Sequence, residues 1–351
     1  MNPATIDRID LPVEELKWRL NVSGANEAFN YYLTMDEGHV ACIQIIYSTL
    51  GWSPSVQVSG RFYHANGQNY TKTASFAGTA MVLSPDRHSA TCEKSTFFFN
   101  PDTWTWTISY QSSAPDELSM ELEFVATDQG CQINGGQKNF FIDKPANGYV
   151  LSQFIPKAKV NATIKVDGQT LTAPHAQGAI LRYIHNKPTL PGRWNWVNFQ
   201  TNQDSLLLLQ FEMPDGYEYD IDVSSEGILV LNDKTVAVTL ENCATHIDPE
   251  PDSTNGYLVP SRLHYEWIGK TKDGQELKVL LETPAAHMRG RIDVLSELPY
   301  FLRVFLQTFV MAPYIYHWVE KAKVSVKIGD EVRILEGSAF LETTFTYKMD
   351  E

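Results

Sequence analysis

The sequence lacks an apolar leader: its first twenty residues, MNPATIDRIDLPVEELKWRL, hold no hydrophobic run of the kind a secretory signal needs. It lacks a long membrane-compatible run as well. The most apolar stretch, 299–318, is broken by Arg303, Gln307, Pro313 and His317, so no membrane span is expected. Positive charge is scarce. Lys and Arg number 28 against 42 Asp and Glu, a net charge of -14. That balance argues against nucleic acid and against anionic membrane surfaces as partners. Cysteine is scarce too: Cys42, Cys92, Cys131 and Cys243 show no short pairing. In the cytoplasmic chain that the missing leader implies, they are expected as small buried hydrophobes. The sequons at Asn21, Asn69 and Asn161 are then chance.

Several chemistries are unsupported for the same reason. GxGxxG, GxxxxGK[ST] and GxSxG do not occur, so neither a phosphate cradle nor a nucleophile elbow is signalled. No two of the nine histidines lie closer than ten residues, which removes the HxH and HExxH metal spacings. Asp220-x-Asp222-x-Ser224 begins like a calcium loop but lacks the sixth-position glycine and carries Leu231 at the twelfth. No cofactor and no metal are expected.

What the chain has is alternation. Residues 56–64, 103–111, 118–126, 161–171, 193–201, 235–243, 262–269, 276–283 and 322–330 all alternate apolar with polar. Such runs, rich in Val, Ile, Thr and aromatics, predict half-buried antiparallel strands. Asn66-Gly67, Asp167-Gly168, Asp215-Gly216 and Asp273-Gly274 punctuate them with residues that tolerate positive φ. The fold class is therefore all-β, sandwich or barrel. Two helices are expected. One covers 12–20, opened by Pro12 with Glu14 and Glu15 in its first turn; the other covers 293–310, with Leu295, Leu298, Leu302, Phe305, Leu306 and Phe309 at helical spacing. The segment 185–192, HNKPTLPG, is the best linker and divides the chain into halves 1–186 and 187–351, each long enough for a barrel. No simple repeat is visible between the halves, so any duplication has diverged in sequence.

Aromatic content is the remaining signal: 8 Trp, 16 Tyr and 17 Phe. Trp194-x-Trp196-x-Asn198-x-Gln200 places two indoles and two amides on one strand face. Either that face lines an apolar pocket with a few hydrogen-bonding groups, or the indoles fill a core and the amides meet water. Trp104 and Trp106 pose the same choice, with the core favoured.

The stretches 41–51, 161–171, 193–217, 237–269 and 297–322, among them AVTLENCATHIDPEPDSTNGYLVPSRLHYEWIG, resemble the fungal oxidative-stress survival-factor family. That family belongs to a lipocalin-like group that includes carotenoid hydratases and decalin-forming Diels–Alderases. The resemblance implies two lipocalin-like barrels with a pocket in or between them. It also implies a choice of functions. The yeast-type survival factor is a ceramide carrier with an N-terminal amphipathic extension, and this chain begins almost at its first barrel. Carotenoid hydratases carry Trp-x-Asp-His where this chain reads Gly178-Ala-Ile-Leu-Arg182-Tyr-Ile-His185. The short, aromatic-rich form is similar to the hetero-Diels–Alderases of tropolone–sesquiterpenoid biosynthesis. The expected activity is thus the cofactor-free addition of a tropolone o-quinone methide to a humulene-type sesquiterpene by a monomer. Lipid carriage and decalin formation are the alternatives. Pericyclic addition requires a dry mould and a hydrogen bond to the heterodiene oxygen. On that chemistry Trp194, Trp196, Tyr47 and Trp52 are expected to wall the substrates. Asn198, Gln200 and Arg61 would hydrogen-bond their oxygens, and His287 would assist loss of water. Arg61 on an exterior face and His287 in a surface loop are the competing placements.

Overall fold

The computed structural model describes residues 8–113, 117–141, 144, 147–214, 221–297 and 313–346. The described chain is nearly all-β, with antiparallel strands arranged in two curled sheets, as the alternation predicts. The first takes the strands from Arg8–Asp10 to Gln169–Asn186, and the second those from Arg193–Gln200 to Glu331–Phe345. The chain passes between them from Asn186 to Arg193.

The two sheets are wound alike. In the first, the strand Ala25–Thr34 pairs with the last strand, Gln169–Asn186; in the second, Arg193–Gln200 pairs with the last strand, Glu331–Phe345. In both, the next three strands run outward from that opening strand as a meander. Each sheet curls over its own apolar interior, Phe29, Trp106 and Phe124 in the first, Phe199, Trp267 and Trp318 in the second. Trp106 thus takes the core role expected of it. A third apolar layer lies between the sheets and includes Tyr32, Leu181, Trp196, Leu209 and Phe340. This seam positions the site.

Local departures from the expected elements have plain causes. The run 161–171 is not one strand: Asp167 (φ 48°) and Gly168 (φ 74°) form a tight turn that joins Tyr149–Val166 to Gln169–Asn186. Likewise Leu240 parts Lys234–Thr239 from Glu241–Pro251. Gly67 and Gly274 take positive φ as expected, whereas Asp215-Gly216 lies outside the described residues. The N-terminal helix is shorter than expected and of 3-10 type, Val13–Leu16, because Lys17 returns to extended backbone. Of the helix expected at 293–310, Val294–Glu297 is α-helical, and 298–312 lies outside the described residues. No described helix is long and apolar enough to cross a membrane. Cys42, Cys92 and Cys131 are buried, but Cys243 is exposed, a correction to the expectation for all four.

One end of the first interior is closed by charge. Arg182 lies 5.7 Å from the Phe29 ring and donates to Glu27 Oε1 at 2.6 Å and to the Lys17 carbonyl at 3.0 Å. The backbone N–H groups of Arg19 and Leu20 donate to the same carboxylate. Both charged side chains are nearly inaccessible, so hydrogen bonds rather than water serve the pair, although Arg182 Nε has no partner among the described residues.

Candidate functional site: a cavity between the sheets

A cavity of about 210 Å³ opens in the seam. Its two walls differ in chemistry. The wall from the first sheet is polar. Residues of Ala25–Thr34, Val40–Ser48 and Ser55–Tyr63 that point away from the interior meet across the ladder: Asn30 opposite Gln44, Gln44 opposite Ser59, and Cys42 opposite Arg61. Asn30, Gln44, Gln57 and Arg61 all line the cavity. Asn30 Nδ2 donates to the Leu181 carbonyl at 3.1 Å and its Oδ1 accepts from Gln44, so the amides are held in place by one another. The wall from the second sheet is apolar and aromatic, with Trp194, Trp196, Leu209, Phe211 and Ile315.

Two ionisable groups break that second wall. Register places Glu342 opposite Trp196 on one side and opposite His317 on the other. The three side chains form one row across three neighbouring strands and line the cavity. His317 Nε2 lies 2.8 Å from Glu342 Oε2, and His317 Nδ1 lies 2.6 Å from the Tyr63 hydroxyl of the first sheet. A carboxylate only accepts, so Nε2–H donates to Glu342. Nδ1 of the same ring shares the second hydrogen bond, with the Tyr63 hydroxyl. The relay Tyr63–His317–Glu342 therefore crosses the seam, and Phe340 packs against both Tyr63 and His317.

Burial shapes the electrostatics around the relay. Desolvation raises the Tyr183 and Tyr32 phenols, with Glu342 adding to the rise and Arg61 opposing it. It also pushes the Cys42 thiol up to about 11. The same groups thus feel Arg61 and Glu342 together, which sets a cation and an anion at one end of the cavity. Desolvation pushes the His185 imidazole down to about 3, so it is neutral. Two polar atoms of cavity residues, Trp196 Nε1 and His185 Nε2, are buried without a hydrogen-bond partner among the described residues. Such orphans are costly unless a ligand serves them.

Of the residues singled out in the sequence, the structure brings Arg61, Trp194 and Trp196 to the cavity. Arg61 is buried in the seam, not on an exterior face. Asn198 and Gln200 do share the Trp194–Trp196 face, but they lie beyond Tyr32, which packs on both Trp196 and Phe340, with Phe340 opposite Asn198 in register. There Gln200 Nε2 donates to Asn198 Oδ1 at 2.7 Å and to Ser205 Oγ at 2.9 Å. Across the seam Lys157, thrust out by a bulge in Tyr149–Val166, donates to Gln200 Oε1 at 3.1 Å. These amides tie the sheets together. Tyr47 packs against the first interior, and Trp52 is 94% exposed. His287 is bound to Glu320 at 2.6 Å, with its own side chain 62% exposed, and does not line the cavity. Sequence reading missed Tyr63, His317 and Glu342. Tyr63 follows Arg61 in the same alternation, but nothing in the sequence pairs it with strands more than two hundred residues on.

Two wound-alike antiparallel sheets with a cavity in the seam between them define a lipocalin-like two-sheet protein. Solved structures share this fold: CghA with Sch210972 (TM-score 0.65, 10% identity, 93% of this chain and 90% of that one) and kievitone hydratase from Nectria haematococca (TM-score 0.57, 14% identity, 93% and 90%). The Svf1 family profile matches residues 8–347, and the chain belongs to that family. Similar relatives include the ceramide-binding protein svf1 of Emericella nidulans, 27% identical over 96% of this chain and 90% of its own. Survival factor 2 of Schizosaccharomyces pombe is 24% identical over 94% and 93%.

Proposed function

We propose that this chain is a cytoplasmic, monomeric binder of ceramide-class lipids, which it holds in the seam cavity. The observation that carries this reading is the unlikeness of the two walls. An amide-and-hydroxyl carpet faces Leu209, Phe211 and the two indoles. A molecule that fits both has apolar chains and an uncharged hydrogen-bonding head, as ceramide has. The ceramide-binding relatives support the same assignment. Titrating the protein with a fluorescent ceramide tests it. Leu209→Trp fills the cavity with an apolar group and is expected to weaken binding at least about tenfold, ~1.4 kcal/mol. Equal affinity in that variant contradicts the reading.

A second reading rests on Trp194, Trp196 and Arg61 facing one space. A flat heterodiene stacked on the indoles, with its oxygen at Arg61, would undergo the tropolone–sesquiterpene hetero-Diels–Alder addition in a dry pocket. Product analysis with both substrates decides it: a rate and stereochemistry equal to the spontaneous reaction eliminate it.

A further inference from the structure

We propose that the seam cavity is a proton-transfer site for enolisable carbonyl compounds, with Glu342 as the catalytic base and Arg61 as the group that stabilises the enolate. This inference goes beyond lipid binding and shares with it only the cavity.

Three observations combine. Glu342 lines the cavity, and only its Oε2 is engaged, by His317; Oε1 makes no hydrogen bond among the described residues. Lipid binding has no need of a carboxylate in an apolar wall, since desolvating a charge is costly unless the charge is used. Behind it, His317 and Tyr63 are hydrogen-bonded in series and buried. They fix the carboxylate's direction, the role that an orienting partner plays for a general base. On the opposite wall, Arg61 brings a guanidinium to the same space, held in part by its bond to Ser59 Oγ at 3.1 Å. A base on one wall and a fixed cation on the other match the two charge changes of enolisation.

The step balances with these groups alone. For a β,γ-unsaturated ketone, Glu342 takes the α proton. The C–H electron pair becomes a new C=C bond, and the carbonyl π pair moves onto oxygen beside Arg61. Collapse of the dienolate then takes the proton back from Glu342 at the γ carbon. The double bond is left conjugated with the carbonyl, and the carboxylate is restored. No oxidant, metal or nucleotide enters. His317 and Tyr63 are positioning residues.

A long-chain β,γ-unsaturated methyl ketone is the probe, and growth of conjugated-enone absorbance is the readout. The full chain is expected to accelerate conversion over buffer. Glu342→Gln, close to isosteric, is expected to lower kcat by about 10²-fold or more. Tyr63→Phe keeps the ring packing, and it is expected to lower kcat several-fold with KM little changed and to move the acid limb of the pH–rate profile. A rate in wild type no faster than buffer overturns the proposal, as does a Glu342→Gln rate equal to wild type. Fluorescent-ceramide titration of the same proteins reads the lipid assignment separately: ceramide bound without ketone turnover overturns only the proton-transfer site.

Discussion

The two sheet interiors and the seam between them are built from the same strands but hold different chemistry. Facing inward, alternate residues supply Phe29, Phe124, Val197 and Phe199 to closed apolar cores. Facing outward, their neighbours supply Asn30, Arg61, Trp196 and Glu342 to a cavity. One face of each sheet is thus packed for stability and the other fitted for a ligand. The contrast teaches that two sheets wound alike gain a site where they meet, without hollowing either core.

Substitutions that separate the two regions sharpen the comparison. The largest effect is expected at the charged end of the first interior. Glu27→Gln leaves Arg182 as an uncompensated buried charge and should cost about 3–5 kcal/mol in denaturant unfolding. Phe124→Ala, wholly inside, should cost about 3–5 kcal/mol as a cavity mutation, while the protein that remains folded binds ceramide with unchanged affinity. A large loss of affinity there would break the division of labour. In the seam, the stability effect follows pH. Burial pushes the Glu226 carboxyl up to about 7 from its ordinary 4.5, against a pull from Lys138. The folded state then holds more protons than the unfolded state across that window. Stability is therefore full below about 4.5 and falls as pH rises through about 7, by up to roughly 3 kcal/mol. Glu226→Gln should flatten this slope in unfolding measured across the window; an unchanged slope would place its origin elsewhere. The smallest effect is expected from Asn198→Leu. It removes the acceptor of one Gln200 bond and should cost about 1 kcal/mol with ligand affinity unchanged.

Much of the fold was legible because most strands have one polar face. The alternation of 118–126 and 276–283 marks the strands Leu118–Ala126 and Glu276–Pro284 closely. It fails for Ser205–Glu212, SLLLLQFE, and for most of Ala25–Thr34, since these strands are buried on both faces between an interior and the seam. Their period-two signal vanishes where the cavity lies. Strand-face counting therefore found the Trp194–Trp196 face and, in the alternation of 56–64, Arg61 separately. Nothing local indicates that the two oppose each other. Nor does it show that Phe340 and Tyr32 cut Asn198 and Gln200 off from the cavity, because that depends on contacts between strands far apart in the chain.

Photo-crosslinking tests the central claim most directly. A photoactivatable ceramide is bound to the full chain, irradiated, and its adducts are mapped by peptide mass spectrometry. Adducts are expected on seam-facing residues of the strands Val40–Ser48, Arg193–Gln200 and Ser205–Glu212, such as Ile46, Trp196 and Leu209. Adducts confined to interior residues such as Phe124 or Trp267 would contradict it.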